Sequence, residues 1–137
     1  MKHTHDVQIT YLYSSAKKNM KTAEYLYAGG YYDACLFFCH LSIEKILKAL
    51  VTIEIHDAPP FIHDLERLAR LADITITDAQ KDALIEITGF NIAGRYKEEK
   101  YQFYKKCTKP FTTKKLALSH EICVWLQKEF QKRYPKK

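Results

Sequence analysis

Apolar residues recur at three- and four-residue steps along most of the chain, the period of helices that bury one face. The first run extends from about Val7 to Ala28 and carries Ile9, Leu12, Ala16, Met20, Ala23 and Tyr27. Gly29-Gly30 then ends it. A second run, from about Tyr32 to Glu54, repeats Cys35, Phe38, Ser42, Ile46, Ala49 and Ile53, with Leu36, Ile43, Leu47 and Leu50 widening the stripe. So wide a stripe must be covered by other helices or by a second subunit. Pro59-Pro60 cannot continue a helix, and Asp64 is placed to cap a short one, DLERLARLA. Thr77 and Gln80 have capping-box spacing and open a fourth segment, AQKDALIEIT, which weakens near Gly89 or Gly94. The last segment starts around Thr112 or Thr113, after Pro110, and carries Leu116, His120, Cys123, Leu126 and Phe130. No strand pattern, internal repeat or low-complexity segment is evident. The expected fold is all-α: an antiparallel up-and-down bundle of four main helices plus one short helix, a single domain over residues 1–137.

Composition agrees with this reading. Of the 137 residues, 47% are apolar and 28% charged, and four Gly and four Pro are too few to punctuate many short strands. The N-terminus, MKHTHDVQITYLYSSAKK, lacks an apolar signal region, so a cytoplasmic location is expected. Asp33, His40, Glu44, Lys45 and Lys48 interrupt the most hydrophobic stretch, residues 31–53, which therefore reads as a core helix and not as a membrane span. Cysteines stand at 35, 39, 107 and 123 without a CxxC pair, as expected of reduced, partly buried thiols. Cys35, Cys39 and His40 read as core residues, and His3 and His5 as part of a loose end. No metal or cofactor is expected.

Charge is unevenly spread. Residues 1–94 hold nine basic and twelve acidic residues, net −3, whereas residues 95–137 hold thirteen and four, net +9. Within the basic part, RYKEEKYQFYKKCTK interleaves Tyr96, Tyr101, Phe103 and Tyr104 with Lys97, Lys100, Lys105, Lys106 and Lys109. Lysines hold phosphates and aromatic faces stack on unpaired bases, so this connection permits nucleic-acid or nucleotide contact. A solvated connection whose aromatics pack back on the bundle is the alternative. Lys132, Arg133, Lys136 and Lys137 fall at the end of the last helix, where positive charge favours the helix dipole in any protein.

Three stretches together resemble the HEPN domain family, the "higher eukaryotes and prokaryotes nucleotide-binding" helical family: GGYYDACLFFCHLSIEKILKALV (29–51), PPFIHDLERL (59–68), and FNIAGRY followed by a helix ending in VWLQKEF. The Glu-Lys-x-x-Lys-Ala run and the His-Asp-Leu helix start fall on Glu44, Lys45, Lys48, Ala49, His63, Asp64 and Leu65. These residues also have plain structural readings. Glu44 and Lys48 are spaced for a helical ion pair, Asp64 for an N-cap, and His63 for tying the loop to the bundle.

The resemblance implies an all-α homodimer, often found with a small nucleotidyltransferase in toxin–antitoxin-like two-component modules. Many members are metal-independent ribonucleases in which an arginine stabilises charge on the scissile phosphate and a histidine four to six residues on transfers protons. Arg95 occupies the arginine position and Tyr96 that of the following aromatic. The next residues, YKEEKYQFY, contain no histidine, and the next one in the chain is His120. A binding module is therefore expected, taking a nucleotide, RNA or a partner nucleotidyltransferase through Arg95, Tyr96, Lys97, Lys100 and Tyr101. Glu44, Lys45, Lys48, His63 and Asp64 are expected as structural or groove residues. Arg95 itself reads as a phosphate or carboxylate ligand at a groove mouth, as a helix-end packing residue, or as a catalytic residue. The alternative function is a ribonuclease in which the fold or a dimer brings His120 or His63 to Arg95. Family members modified on a tyrosine near this arginine point to Tyr101 as a modification site.

Overall fold

The wide apolar stripe of the second segment lies at the centre of the molecule, covered by helices of the same chain. The computed structural model describes residues 5–135 and contains α1 (Asp6–Ala28), α2 (Tyr32–Ile55), α3 (Leu65–Leu71), α4 (Asp78–Thr88), α5 (Lys97–Lys106) and α6 (Lys109–Arg133). The described residues form no strand, and the all-α bundle expected from the periodicity is the observed architecture. His3, Lys136 and Lys137 lie outside the described residues.

α1 and α2 form an antiparallel hairpin closed by Gly29-Gly30, with Gly30 at φ 83°, a left-handed conformation that glycine adopts without a Cβ penalty. Ile9, Leu12, Ala16, Met20 and Ala23 of α1 are buried. On α2, Leu36, Ile43, Ile46, Leu47 and Leu50 are almost wholly buried, with α1, α6 and α3 packed around this helix. α6 is tied to α1 by the Tyr13 and Phe130 rings, stacked 3.9 Å apart. It is tied to the loop after α3 by Arg133, whose guanidinium donates to the carbonyls of Ala72 and Asp73. Arg133 is thus a clamp as well as a cation near a helix end.

The caps follow the sequence closely. Asp64 accepts from the Arg67 amide at 3.2 Å, and Thr77 and Gln80 form a reciprocal capping box. Two boundaries differ from expectation. Residues 97–106, read as a connection, form helix α5. Glu98 and Glu99 occupy its first turn and Lys105 and Lys106 its last, matching the helix dipole at both ends. Phe103 and Cys107, four apart, bury its inner edge. The last helix also begins earlier than expected, because Thr108 caps it through the Phe111 amide and Pro110 fits a first turn, where no N–H is needed.

The four cysteines are free and buried. Ser42 donates to the Ala16 carbonyl at 2.7 Å and lies 3.7 Å from the Cys123 sulfur. Burial pushes the Cys123 thiol up to about 11 and the Cys107 thiol up to about 12, so both stay protonated and unreactive near neutral pH. A hydrogen bond with Cys35, and burial after it, raise the Cys39 thiol further.

Candidate functional site

The segment joining α4 to α5 is built around Arg95. Gly94 takes φ 80°, and Arg95 then turns its side chain back toward the end of α4. Its Nε donates to the Asn91 carbonyl at 3.0 Å and its Nη2 to the Gly89 carbonyl at 2.6 Å. The carbonyl of Gly89, the cap residue of α4, lacks an intrahelical partner and carries partial negative charge, and that of Asn91 belongs to the loop just beyond, so the half-buried guanidinium ties the helix end to the loop that follows it. Arg95 therefore acts first as a brace for this loop. Three of its five N–H groups remain for other acceptors.

Beside the brace is an open groove of about 500 Å³ between the end of α4 and the inner side of α5. Phe90 and Phe103 form its floor, with ring centroids 5.9 Å apart. Arg95, Glu98, Glu99 and Lys106 contribute charge to its walls. Glu86, also in the wall, pairs with Lys115 of α6 at 2.6 Å. Carboxylates thus outnumber cations in the groove lining, so phosphate affinity has to come from outside it.

The opposite side of α5 has that character. Lys97, Lys100, Tyr101 and Tyr104 are exposed, and Tyr96, the N-cap residue, is 78% exposed. The Tyr101 and Tyr104 rings stack at 6.3 Å, with the Lys105 ammonium 5.1 Å from the Tyr101 centroid. Residues 95–109 contain six basic and two acidic side chains, net +4.

Glu44, Lys48 and His63 meet elsewhere, around the buried Glu44 carboxylate. One oxygen accepts from His63 Nδ1 at 2.9 Å, and the other lies 3.0 Å from Lys48 Nζ. His40 Nε2 approaches the first oxygen at 3.5 Å and donates to the His63 carbonyl at 3.2 Å. That leaves His40 Nδ1 buried without a partner, and burial lowers the pKa of this imidazole below the usual value. Lys45 points away from the cluster and donates to Ser15 on α1 at 2.7 Å.

Of the ten residues singled out in the sequence, Arg95 alone lines the groove, and Tyr96, Lys97, Lys100 and Tyr101 lie on or beside the outer face of α5. Glu44, Lys48 and His63 form the latch, Asp64 caps α3 and Lys45 bridges to α1. Neither histidine offered as an Arg95 partner is in the groove lining: His63 faces Glu44, and His120 faces Glu24 of α1 at 3.3 Å. The groove residues Glu86, Phe90, Gln102 and Lys106 were not singled out as a site. The signal available for Gln102 and Lys106 was the helical spacing within 97–107, hidden by the density of charge. Among the described residues, no group of three or more His, Cys, Asp or Glu side chains is arranged to hold a metal ion.

The model of the HEPN domain family matches residues 9–129. The chain belongs to the HEPN family. This HEPN protein also resembles, at 17% sequence identity, the crystal structure of an archaeal HEPN homologue, with a TM-score of 0.67 over 94% of this chain and 98% of that one. At that identity the likeness speaks for the fold. No curated protein matches the chain in sequence. Among the described residues, no helix is long and apolar enough to cross a membrane.

Proposed function

We propose that this HEPN protein is a binding module that takes a base-bearing phosphate ligand, a nucleotide or a single strand of RNA, on the outer face of α5. One observation carries the reading: Lys97, Lys100, Tyr101 and Tyr104 are exposed together on one helix, in a segment of net charge +4. Lysines there neutralise phosphates, and exposed tyrosine rings stack on bases, each stack contributing about 1–3 kcal/mol. Arg95 braces the loop that sets α5 in place and offers its remaining N–H groups to a phosphate or a carboxylate at the groove mouth.

In this reading the protein works as a cytoplasmic homodimer with a small nucleotidyltransferase as partner, in a toxin–antitoxin-like two-component system. Its support is family membership together with the basic, tyrosine-bearing helix. The observed surroundings of His63 and His120 favour binding over Arg-His ribonuclease chemistry, since each imidazole is directed at a glutamate outside the groove.

Fluorescence anisotropy with labelled oligouridylate tests the proposal. Lys97→Ala/Lys100→Ala and Tyr101→Ala are each expected to weaken binding about tenfold, with circular dichroism unchanged. Wild-type protein that fails to bind the oligonucleotide, or variants that bind as tightly as wild type, would refute the assignment to α5.

A further inference from the structure

The Glu44 carboxylate meets Lys48 Nζ at 3.0 Å and His63 Nδ1 at 2.9 Å, so its charge is balanced without His40. The His40 ring is wholly buried, with Nε2 donating to the His63 carbonyl at 3.2 Å and Nδ1 unpartnered. The charged and titratable groups around it are Glu44 and Lys48 of its own helix and His63 of the loop; Lys45, also on α2, turns to Ser15 of α1. A proton added at Nδ1 places a second cation beside a carboxylate that Lys48 already balances, on a nitrogen shut off from water. His63 differs, because its Nδ1 donates to Glu44 whether the ring is neutral or charged. Of the two imidazoles, His40 is the one that acid turns against the closed cluster.

The segment over His40, residues 56–64, is suited to open locally. His56, Asp57, Ala58, Phe61, His63 and Asp64 are exposed, and the segment is fastened to the bundle by the packing of Ile62 and by the side chain and carbonyl of His63. Few buried contacts hold it, the condition for opening well below the cost of global unfolding. Burial lowers the His40 pKa in the closed form, so the open form takes up a proton that the closed form excludes. The open population then rises by up to about tenfold per pH unit below about 6.5.

A continuous run of polar contacts leads from this segment to α5. Two residues after His63, the Leu65 amide donates to Thr88 Oγ1 at 3.0 Å, and that hydroxyl donates to the Leu84 carbonyl at 2.8 Å. One side chain thus fastens the start of α3 to the last turn of α4. The next residue, Gly89, offers its carbonyl to Arg95 Nη2 at 2.6 Å, and Arg95 precedes Tyr96, the N-cap of α5. The buried anchors Phe103 and Cys107 lie toward the far end of α5, so Lys97 and Lys100 take their position from this run of contacts.

We propose that the His40, Glu44 and His63 cluster is an acid-sensitive latch: proton uptake at His40 opens residues 56–64 and, through Thr88 and the Arg95 brace, loosens the start of α5 and weakens its hold on a phosphate ligand. The coupling rests on α5 being the binding face; the latch does not. Hydrogen exchange at pH 7.5 and 5.5, read as protection factors, tests the latch without ligand. Protection at Ile62 and Leu65 is expected to fall at least about threefold at the acid pH, while staying below that of the α2 core, as local opening requires. His40→Gln, which keeps a donor at the Nε2 position and does not titrate, is expected to remove the fall. Equal protection at both pH values, exchange only together with the core, or an acid response retained in His40→Gln would overturn the latch. Anisotropy with labelled oligouridylate tests the coupling: wild type is expected to lose about threefold more affinity between the two pH values than His40→Gln. Thr88→Val, which cuts the path beyond the loop, is expected to keep the acid response at Ile62 and to lose that of binding. A pH dependence of binding as large in either variant as in wild type would overturn the coupling. Failure of wild type to bind at pH 7.5 would refute the α5 reading and the coupling together, with exchange still deciding the latch.

Discussion

Glu44 holds three groups at once, with one oxygen facing His63 and His40 and the other facing Lys48. A buried carboxylate is tolerated only when it is paired and hydrogen-bonded, so this residue fixes the tautomer and position of its neighbours. His40, with Nδ1 buried and unpaired, is held neutral by burial, and its folded pKa lies below the unfolded value of about 6.5. In that window the unfolded chain binds a proton that the folded chain excludes, so stability falls as pH drops below about 6.5. Urea unfolding at pH 5.0 and 7.5 checks this: the midpoint is expected to be lower at the acid pH, and His40→Gln to reduce the difference. An equal pH response in the variant would assign it to other groups. The pairing of Glu44 with Lys48 was legible from their spacing. The part of His40 was not, because an imidazole on an apolar face looks like any other small core residue until its ring orientation is known.

The α4–α5 unit shows why elements are harder to read where charge is dense. Asp64, Thr77 and Gln80 were readable because capping is local chemistry, set by residues three apart. α5 was not, because its buried edge is only Phe103 followed by Cys107, too brief to establish a period. Arg95 is intermediate: its importance was visible, whereas its partners, the carbonyls of Asn91 and Gly89, exist only once α4 ends where it does. Removing the side chain leaves those carbonyls to water. Arg95→Ala is therefore expected to cost about 1–2 kcal/mol and to speed hydrogen exchange at Asn91–Tyr96 without melting α6. A variant as stable as wild type, with unchanged exchange in this loop, would remove the brace.

At the scale of the whole molecule, the bundle separates two kinds of surface. α2 supplies the core on which α1, α3 and α6 pack, and α5 lies against it through Phe103 and Cys107, presenting its lysines and tyrosines outward. The fold was legible because helical periodicity, caps and breakers all pointed the same way. The site was less so, since which residues share a surface depends on how α4 and α5 meet. The account rests most heavily on phosphate contact by the outer face of α5, and counterion release measures that contact directly. The salt dependence of oligouridylate binding is the decisive measurement. Phosphate contacts by Lys97, Lys100 and the exposed Lys105 beside Tyr101 predict a log–log slope of about −2, reduced to about −0.7 in Lys97→Ala/Lys100→Ala. A slope near zero, or one that the double substitution leaves unchanged, would contradict the account.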